Sequence, residues 1–584
     1  MNDHRNMILA IVLSAIVLIG WSFLSDQFFP TAKPPATRVV DGKSVPLPQP
    51  KADPAADGPI AIRDRNTVMR ETPRIRIETP HLAGSVNLKG ARIDDLVLTT
   101  HREGIAKDSP AIRLLSPEGS PGGYFASLGW IGQPGLVPGP ETLWSSTSTR
   151  LAPGSPVTLV WDNGQGQLFR IVLSVDDSYL FSVDQRVVNR GAGDFAARPF
   201  SVLKRKGASK DPDPWTAHAG PMGVFNGAAD YDNDYSKIAE LGERRFNGRG
   251  GWIGFTDTFW LAALVPDQGK AVEATFRHKK TDDSYQADAI AEPIITPRGA
   301  QSRYVSHVFA GAKEIQLLDR YTTQLGTPIE RAIDWGWFRW FMQPIFSLLN
   351  WLYAVLGNFG LAIICLTLIV RTLMFPIAQK QFKSMAAMRV LQPKMKALQE
   401  RHKEDKPRLQ QEMLKLYQEE KVNPMAGCLP ILIQIPIFYA LYKVLMVSVE
   451  MRHKPFTLWI KDLSAPDPLT PVNLFGYLDF TPPSLLALGV LPILLGVTMW
   501  LQFKLNPPPA DPVQAQVFAF MPIIFTFMLA SFPAGLVIYW TWNNILSVIQ
   551  QYVIMRKNGV KVELWDNLRG TFKKSPPEKA AAKT

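Results

Sequence analysis

The sequence predicts a multi-domain protein: an α-helical polytopic membrane bundle of six spans, joined to a large antiparallel β-domain held outside the membrane. Three observations carry this. Met7 to Leu24 is a run of 18 residues without a charge, about enough to cross a hydrocarbon core. Five further apolar segments follow residue 357. Between residues 60 and 325, short runs alternate apolar and polar residues with period two, punctuated by Gly, Pro, Asn and Asp. No apolar run in that stretch is long enough to span a bilayer.

Composition agrees with two populations of structure. The chain has 584 residues, 46% hydrophobic and 20% charged, with mean hydropathy −0.01. That is too apolar for a disordered chain. The two cysteines, Cys365 and Cys428, exclude a disulfide framework and a thiolate zinc cluster. The eight histidines form no H-E-x-x-H spacing. No metal and no cofactor is expected.

Residues 1–29 read as an N-terminal membrane anchor. The alternative is a cleaved secretory signal, but the apolar run exceeds a usual signal core and no A-x-A-like site follows it. Residues 30–59 hold eight prolines and read as an extended linker. Residues 60–325 form the β-domain, with alternating runs at Arg74–Ile77, Ala91–Leu98, Val157–Trp161, Leu168–Val175, Tyr179–Val188 and Arg303–Phe309. Residues 326–357 carry the aromatic cluster Trp335, Trp337, Phe338 and Trp340 around Arg339, an amphipathic segment suited to a membrane interface. The remaining spans are 358–379, 426–449, 485–505, 517–532 and 535–554, several of them interrupted or bounded by Pro376, Pro436, Pro492, Pro522 and Pro533. Prolines are tolerated in spans when neighbouring helices satisfy the freed carbonyls.

Loop charge sets the orientation. Residues 380–425 carry 11 Lys/Arg and the tail 555–584 carries eight, whereas the loop 450–484 has three. The positive-inside rule places the first two in the cytoplasm, and alternation of the spans puts the short loop 506–516 there as well. An even number of spans then puts the N-terminus inside and the β-domain outside. Most of the net charge of +12 is therefore topology, and no direct nucleic-acid recognition is expected.

Arg371 is the most informative residue. It interrupts the apolar run Leu361–Val370, and a charge inside a span is a functional candidate by default. The alternative is snorkelling, because Lys380 marks the cytoplasmic end nine residues away, about 13 Å at helical rise. Thr367 lies one turn from Arg371 on the same face. Gln434, Asn543 and Asn544 fall at similar depths and either face a wet cavity or glue helices together. No acidic residue lies near Arg371 within these spans, so it has no internal partner in sequence and does not suit a proton relay. The loop 380–425 reads as a charged helical hairpin. Its Met385, Met388, Leu391, Met395 and Leu398 stripe is followed by an Asp405-Lys406-Pro407 helix start and a second stripe at Leu409, Met413, Leu416 and Tyr417. Methionine stripes either pack on each other or bind varied apolar partners. There is no G-x-S-x-G, no Walker A sequence and no Cys/His pairing, so no catalytic residue is expected and the protein is not read as an enzyme.

An ordered set of motifs resembles the membrane-protein insertase family that includes the mitochondrial oxidase-assembly and chloroplast thylakoid insertases, in its bacterial form. The residues are Ile369-Val-Arg371 with Pro376, Met388–Lys394, Glu420–Pro424, Gly427–Pro430, Gln434–Phe438, Asp462–Pro468, Phe532–Gly535 and Gln550-Gln551. The match is dense over 335–556 and looser elsewhere. It implies a five-helix insertase core with a hydrophilic groove around a central arginine, which receives acidic segments of nascent membrane proteins. Carried over by position, the groove residues are Arg371, Thr367, Gln434, Tyr539, Trp540 and Asn544. Trp540 departs from relatives that often carry tyrosine there. The implied face along which a substrate slides into lipid is Ile435, Pro436 and Phe438 with Phe518 and Phe525. The large outside domain resembles the Gram-negative form, which implies a periplasmic β-sandwich similar to sugar-mutarotase folds, with residues 30–340 in the periplasm of a bacterial inner-membrane protein. Implied partners are nascent membrane proteins, the Sec translocon, the ribosome, the signal-recognition machinery and the lipid bilayer. Two other classes remain as comparisons. A solute transporter normally shows paired internal repeats, absent here. A sugar-modifying enzyme needs two carboxylates or a His/carboxylate set in one cleft.

Overall fold

The structure, a computed structural model, describes residues 61–209, 218–336, 338–402, 405–420, 429–478, 480, 483, 487–505 and 512–557, with the short segments 38–40 and 43–45. The anchor at 1–29, most of the linker and the tail beyond 557 lie outside the described residues. Within the segment read as an extended linker, Arg38–Val40 pairs antiparallel with Lys43–Val45. The chain forms two compact units, the second beginning at Phe338.

The first unit is a β-sandwich. One sheet has nine strands, in spatial order Ala228–Asp230, Gly220–Phe225, Trp252–Thr256, Trp260–Val265, Gln301–Ala312, Leu180–Asn189, Gln167–Val175, Val157–Asp162 and Ser145–Ser146. The other has eleven. Its main path runs Glu243–Arg249, Ala271–Lys279, Ser284–Ala291, Phe195–Lys206, Tyr124–Ile131, Arg92–Arg102, Leu82–Asn87, Arg74–Glu78 and Arg150–Leu151, with Ile294–Thr296 and Ala111–Leu115 pairing alongside. Alternation in sequence becomes alternation in burial: along Gln167–Val175 every second side chain is buried. The adjacent Leu180–Asn189 pairs antiparallel with it, Gln167 opposite Asn189 and Val175 opposite Phe181.

The inner faces of the two sheets meet through aromatics. Phe169 packs edge-on to Trp130 at 5.1 Å between ring centres, and Phe255 lies 6.2 Å from Phe276. Gln185 Nε2 donates across the core to Gly129 O at 2.7 Å. Each buried large apolar side chain stabilises by about 1.5–3 kcal/mol, which makes this interface the principal source of cohesion. The strands Gly220–Phe225, Trp252–Thr256 and Trp260–Val265 are buried along their whole length. Three helices complete the unit: α1 (Arg65–Arg70), α2 (Tyr235–Leu241) and α3 (Ile315–Leu325). Asp234 caps α2 by accepting from Lys237 N at 2.6 Å. Tyr321 of α3 hydrogen-bonds Asp176 and packs on Phe309 at 5.9 Å.

The segment 326–357 is not one interfacial element. Residues 329–332 form a short 3-10 turn within the β unit, Trp252 Nε1 donates to Pro328 O at 3.1 Å, and Trp335 is only 2% exposed. A helix begins only at Arg339: α4 (Arg339–Leu356), with Trp340 and Trp351 exposed.

The second unit is helical throughout its regular part. It contains α4, α5 (Phe359–Leu373), α6 (Phe375–Arg401), α7 (Lys406–Glu419), α8 (Leu429–Val447), α9 (Val490–Leu505), α10 (Pro512–Met528) and α11 (Ala534–Lys557). Asn358 caps α5, its Oδ1 accepting from Leu361 N at 3.1 Å. α5 stops at Met374, and Pro376 opens α6. Asp405 caps α7, accepting from Arg408 N at 3.1 Å. The stripes of α6 and α7 touch each other, with Tyr417 Oη donating to Met395 Sδ at 3.9 Å and Met395 buried. α11 packs against α5, α6 and α9, and α9 against α10. Gly496 permits the last contact, because a methyl there would collide with Thr526 Oγ1.

Among the described residues, no helix is long and apolar enough to cross a membrane. α5, α9 and α10 have 15, 16 and 17 residues, short of the roughly 20 that a spanning helix needs. Pro376 accounts for the early end of α5, since it has no N–H to donate to the carbonyl four residues back and its ring crowds that carbonyl.

Candidate functional site

Arg371 sits two residues from the end of α5, where its long side chain reaches α11. The facing row of α11 is polar and buried at helical spacing: Asn543, Ser547 and Gln551 lie on one face at steps of four. Arg371 Nε donates to Asn543 Oδ1 at 2.7 Å, and Nη2 donates to Asn543 O at 3.2 Å and to Ser547 Oγ. Ser547 Oγ in turn donates to Asn543 O at 2.7 Å. The hydroxyl proton is thereby directed to the carbonyl, leaving an oxygen lone pair for the guanidinium. A guanidinium has five donors and no acceptor, so the Asn543 amide must turn its oxygen toward it.

All three acceptors are neutral. Among the described residues Arg371 has no carboxylate partner, and no described residue accepts from its Nη1. A part-buried cation is thus solvated by protein dipoles and keeps its full charge. That is an expensive arrangement in an apolar surround, and such groups usually mark a binding site.

A second polar link joins α8 to α11, Gln434 Nε2 hydrogen-bonding Tyr539 Oη. Next to Tyr539, Trp540 is met edge-on by Phe438 of α8 at 4.6 Å and by Phe525 of α10 at 5.4 Å. It packs on a small core of Leu495, Leu529 and Val537. Thus Arg371, Gln434, Tyr539 and Trp540 each engage α11 or belong to it. Thr367 stands apart: it is 1% exposed and its Oγ1 donates to Ile363 O at 2.7 Å within its own helix. Asn544 turns away from Arg371, its Nδ2 donating to Thr498 Oγ1 of α9 at 3.4 Å. On the sliding face, Ile435 is exposed, Pro436 and Phe438 are half-buried, and Phe518 packs edge-on to Phe503 at 5.7 Å. The sequence reading missed Ser547 as an arginine partner. A serine in a helix carries no signal of its own, and only its spacing of four from Asn543 pointed to it.

A cleft of about 330 Å³ lies in the β unit and is lined by Phe125, Trp130, Trp144 and Phe200 together with charged groups. Those charges engage each other. Glu118 accepts from Arg92 at 2.8 Å and from Lys204 at 3.1 Å. Two aspartates of the same unit, Asp176 and Asp184, are likewise engaged. Asp176 accepts from Ser178 N and Leu180 N at 2.9 and 3.0 Å. Asp184 is held below its ordinary carboxylate range despite partial burial, because Arg186 and Arg303 both donate to it.

The chain is similar to known proteins along nearly its whole length. A family model described as 60Kd inner membrane protein matches residues 351–561, and one described as YidC periplasmic domain matches residues 74–348. The membrane protein insertase YidC of Zymomonas mobilis subsp. mobilis is 46% identical over 584 residues, covering 99% of each chain. That of Methylorubrum extorquens is 45% identical over 618 residues, again covering 99% of each. A crystal structure of an active YidC insertase with its first transmembrane domain resolved covers 93% of this chain and 99% of its own, at 19% identity and TM-score 0.37, a superposition too loose to support an argument.

Proposed function

The chain belongs to the YidC family of membrane protein insertases, inner-membrane proteins with a periplasmic domain, and from that premise we propose that it uses Arg371 to draw acidic segments of nascent proteins into a hydrophilic groove. The observation behind this reading is the guanidinium itself, held by Asn543 and Ser547 and without a carboxylate among the described residues. A positive charge fixed by neutral dipoles attracts a carboxylate more strongly than one already paired.

The same reading gives six spans, with both termini in the cytoplasm and the β-sandwich in the periplasm. The Lys/Arg excess in 380–425 and in the tail supports it. A client segment entering from the cytoplasm meets Arg371 first. Its apolar part then moves along Ile435, Pro436 and Phe438 of α8 and Phe518 and Phe525 of α10 into lipid. Burying apolar surface at about 25 cal/mol per Å² drives that step. A membrane potential adds about 2.3 kcal/mol per negative charge per 100 mV to outward movement of an acidic tail. No nucleotide and no cofactor enters this scheme, and the protein acts as an insertase and folding chaperone, not as an enzyme. The charged hairpin of α6 and α7 is the element offered to the ribosome, the signal-recognition machinery and the Sec translocon.

The test is replacement of Arg371 in cells depleted of their own insertase. Insertion is followed for a single-span client with an acidic periplasmic tail and for a matched neutral one. Arg371→Ala should impair the acidic client selectively, and Arg371→Lys should restore it. Equal insertion of both clients by a well-expressed Ala variant would leave the arginine a packing residue and defeat the reading.

A further inference from the structure

We infer that Asn543 and Ser547 are positioning residues that keep Arg371 both located and electrically unquenched, and that the neutrality of these two side chains sets the preference for acidic clients. The inference rests on the groove reading above and deepens it. Asn543 contributes two acceptors to the guanidinium, its side-chain Oδ1 to Nε and its carbonyl to Nη2. Ser547 adds a third acceptor to Nη2 while donating its own proton back to the Asn543 carbonyl at 2.7 Å. Together they occupy the Nε/Nη2 edge of the guanidinium. No described residue accepts from Nη1, so that nitrogen remains for a client carboxylate.

Both side chains are nearly fully buried, Asn543 at 7% exposed and Ser547 at 3%, and Asn543 is isosteric with aspartate, which would alter the charge. Asp in place of Asn543 would present a carboxylate oxygen where Oδ1 now sits, 2.7 Å from Nε. It would form a charge-assisted pair with Arg371 and cancel the field that a client is meant to feel. An arginine pinned to α11 only for packing would gain from such a partner, since a buried cation with a paired carboxylate is better satisfied than one held by dipoles alone. A packing role therefore predicts that Asn543→Asp leaves the choice of client untouched, whereas a recruiting role predicts that the preference for acidic clients is lost.

The experiment uses full-length variants in proteoliposomes without a membrane potential. It scores the ratio of insertion for an acidic-tailed client to that for a matched neutral-tailed client, and adds a lysine-tailed client. Asn543→Asp should lower the acidic-to-neutral ratio to the level of Arg371→Ala, roughly tenfold or more for loss of a charge-assisted contact. It should leave neutral-tail insertion within about twofold and raise lysine-tail insertion, with a thermal midpoint no lower than that of the parent. Ser547→Ala should lower the ratio severalfold, and Ser547→Thr, which keeps the hydroxyl, should restore it. If Arg371→Ala lowers the ratio while Asn543→Asp and Ser547→Ala leave it at the parental value, the positioning role is wrong and the groove reading stands. If Arg371→Ala leaves the ratio unchanged, both fall. Loss of all three clients together with a lowered midpoint in Asn543→Asp would show that the site cannot accept a carboxylate, and the inference would then be overturned by an unchanged ratio in Ser547→Ala.

Discussion

Asp95→Ala is expected to unfold the β unit at a markedly lower temperature. Asp95 is 6% exposed and lies in the strand Arg92–Arg102. Its carboxylate accepts from Arg65 of α1, from Arg113 Nη1 at 2.7 Å and from Ser85 Oγ at 3.2 Å. Removing it leaves two arginines facing each other, and burial already pulls the Arg113 pKa below its ordinary value. Breaking a fully buried pair from one side costs about 3–5 kcal/mol. The side chains of Arg65 and Arg113 are 26% and 36% exposed and turn partly to water, which lowers the expectation to about 2–3 kcal/mol. At roughly 2–4 °C per kcal/mol for a unit of this size, the midpoint should fall by about 4–12 °C. The assay is thermal unfolding of the full-length protein in detergent, followed by the β-sheet circular dichroism band. A shift under about 2 °C, with expression unchanged, would refute the view that this ion cluster fastens α1 to the sheet.

Two further outcomes follow from the β unit. His307, on the strand Gln301–Ala312, has its pKa lowered by burial, so the unfolded chain takes up the proton first. Its contribution is complete above about pH 6.5 and is lost as pH falls below that value, and His307→Gln should flatten that part of a urea-midpoint titration. Gly311→Ala would drive a methyl into the ring of Tyr179, and overpacking of this kind should lower stability by about 1–3 kcal/mol in the same melt, whereas an unchanged midpoint would mean that the Tyr179 ring is free to move.

The β-sandwich was legible where one face of a strand is wet. The alternating runs read from sequence at 157–161, 168–175 and 179–188 coincide with strands to within a residue or two, because half of each strand meets solvent. Trp252–Thr256 was not legible: it is buried on both faces and does not alternate. The glycine-rich stretch Gly248–Gly254 ends one strand, turns at Gly250 and Gly251 with φ of 61° and 82°, and begins the next. Arg371 stood out because a lone charge breaks an apolar run. Of its partners, Asn543 was legible only as a polar group at a similar depth and Ser547 not at all, because hydrogen bonding between α5 and α11 joins residues 172 and 176 positions apart. Depth alone does not separate Asn543 from Asn544. Adjacent asparagines on a helix share a depth yet point about 100° apart, one to Arg371 and the other to Thr498.

In the proposed mechanism an uncompensated charge at position 371 selects clients by charge. The most direct measurement is charge reversal in proteoliposomes held without a membrane potential, where the field across the bilayer cannot supply the preference. Arg371→Glu should abolish the advantage of an acidic-tailed client and confer one on a lysine-tailed client of the same length and hydrophobicity. An Arg371→Glu protein that inserts the two clients in the parental ratio would contradict recruitment by charge and assign client choice to the apolar face of α8 and α10.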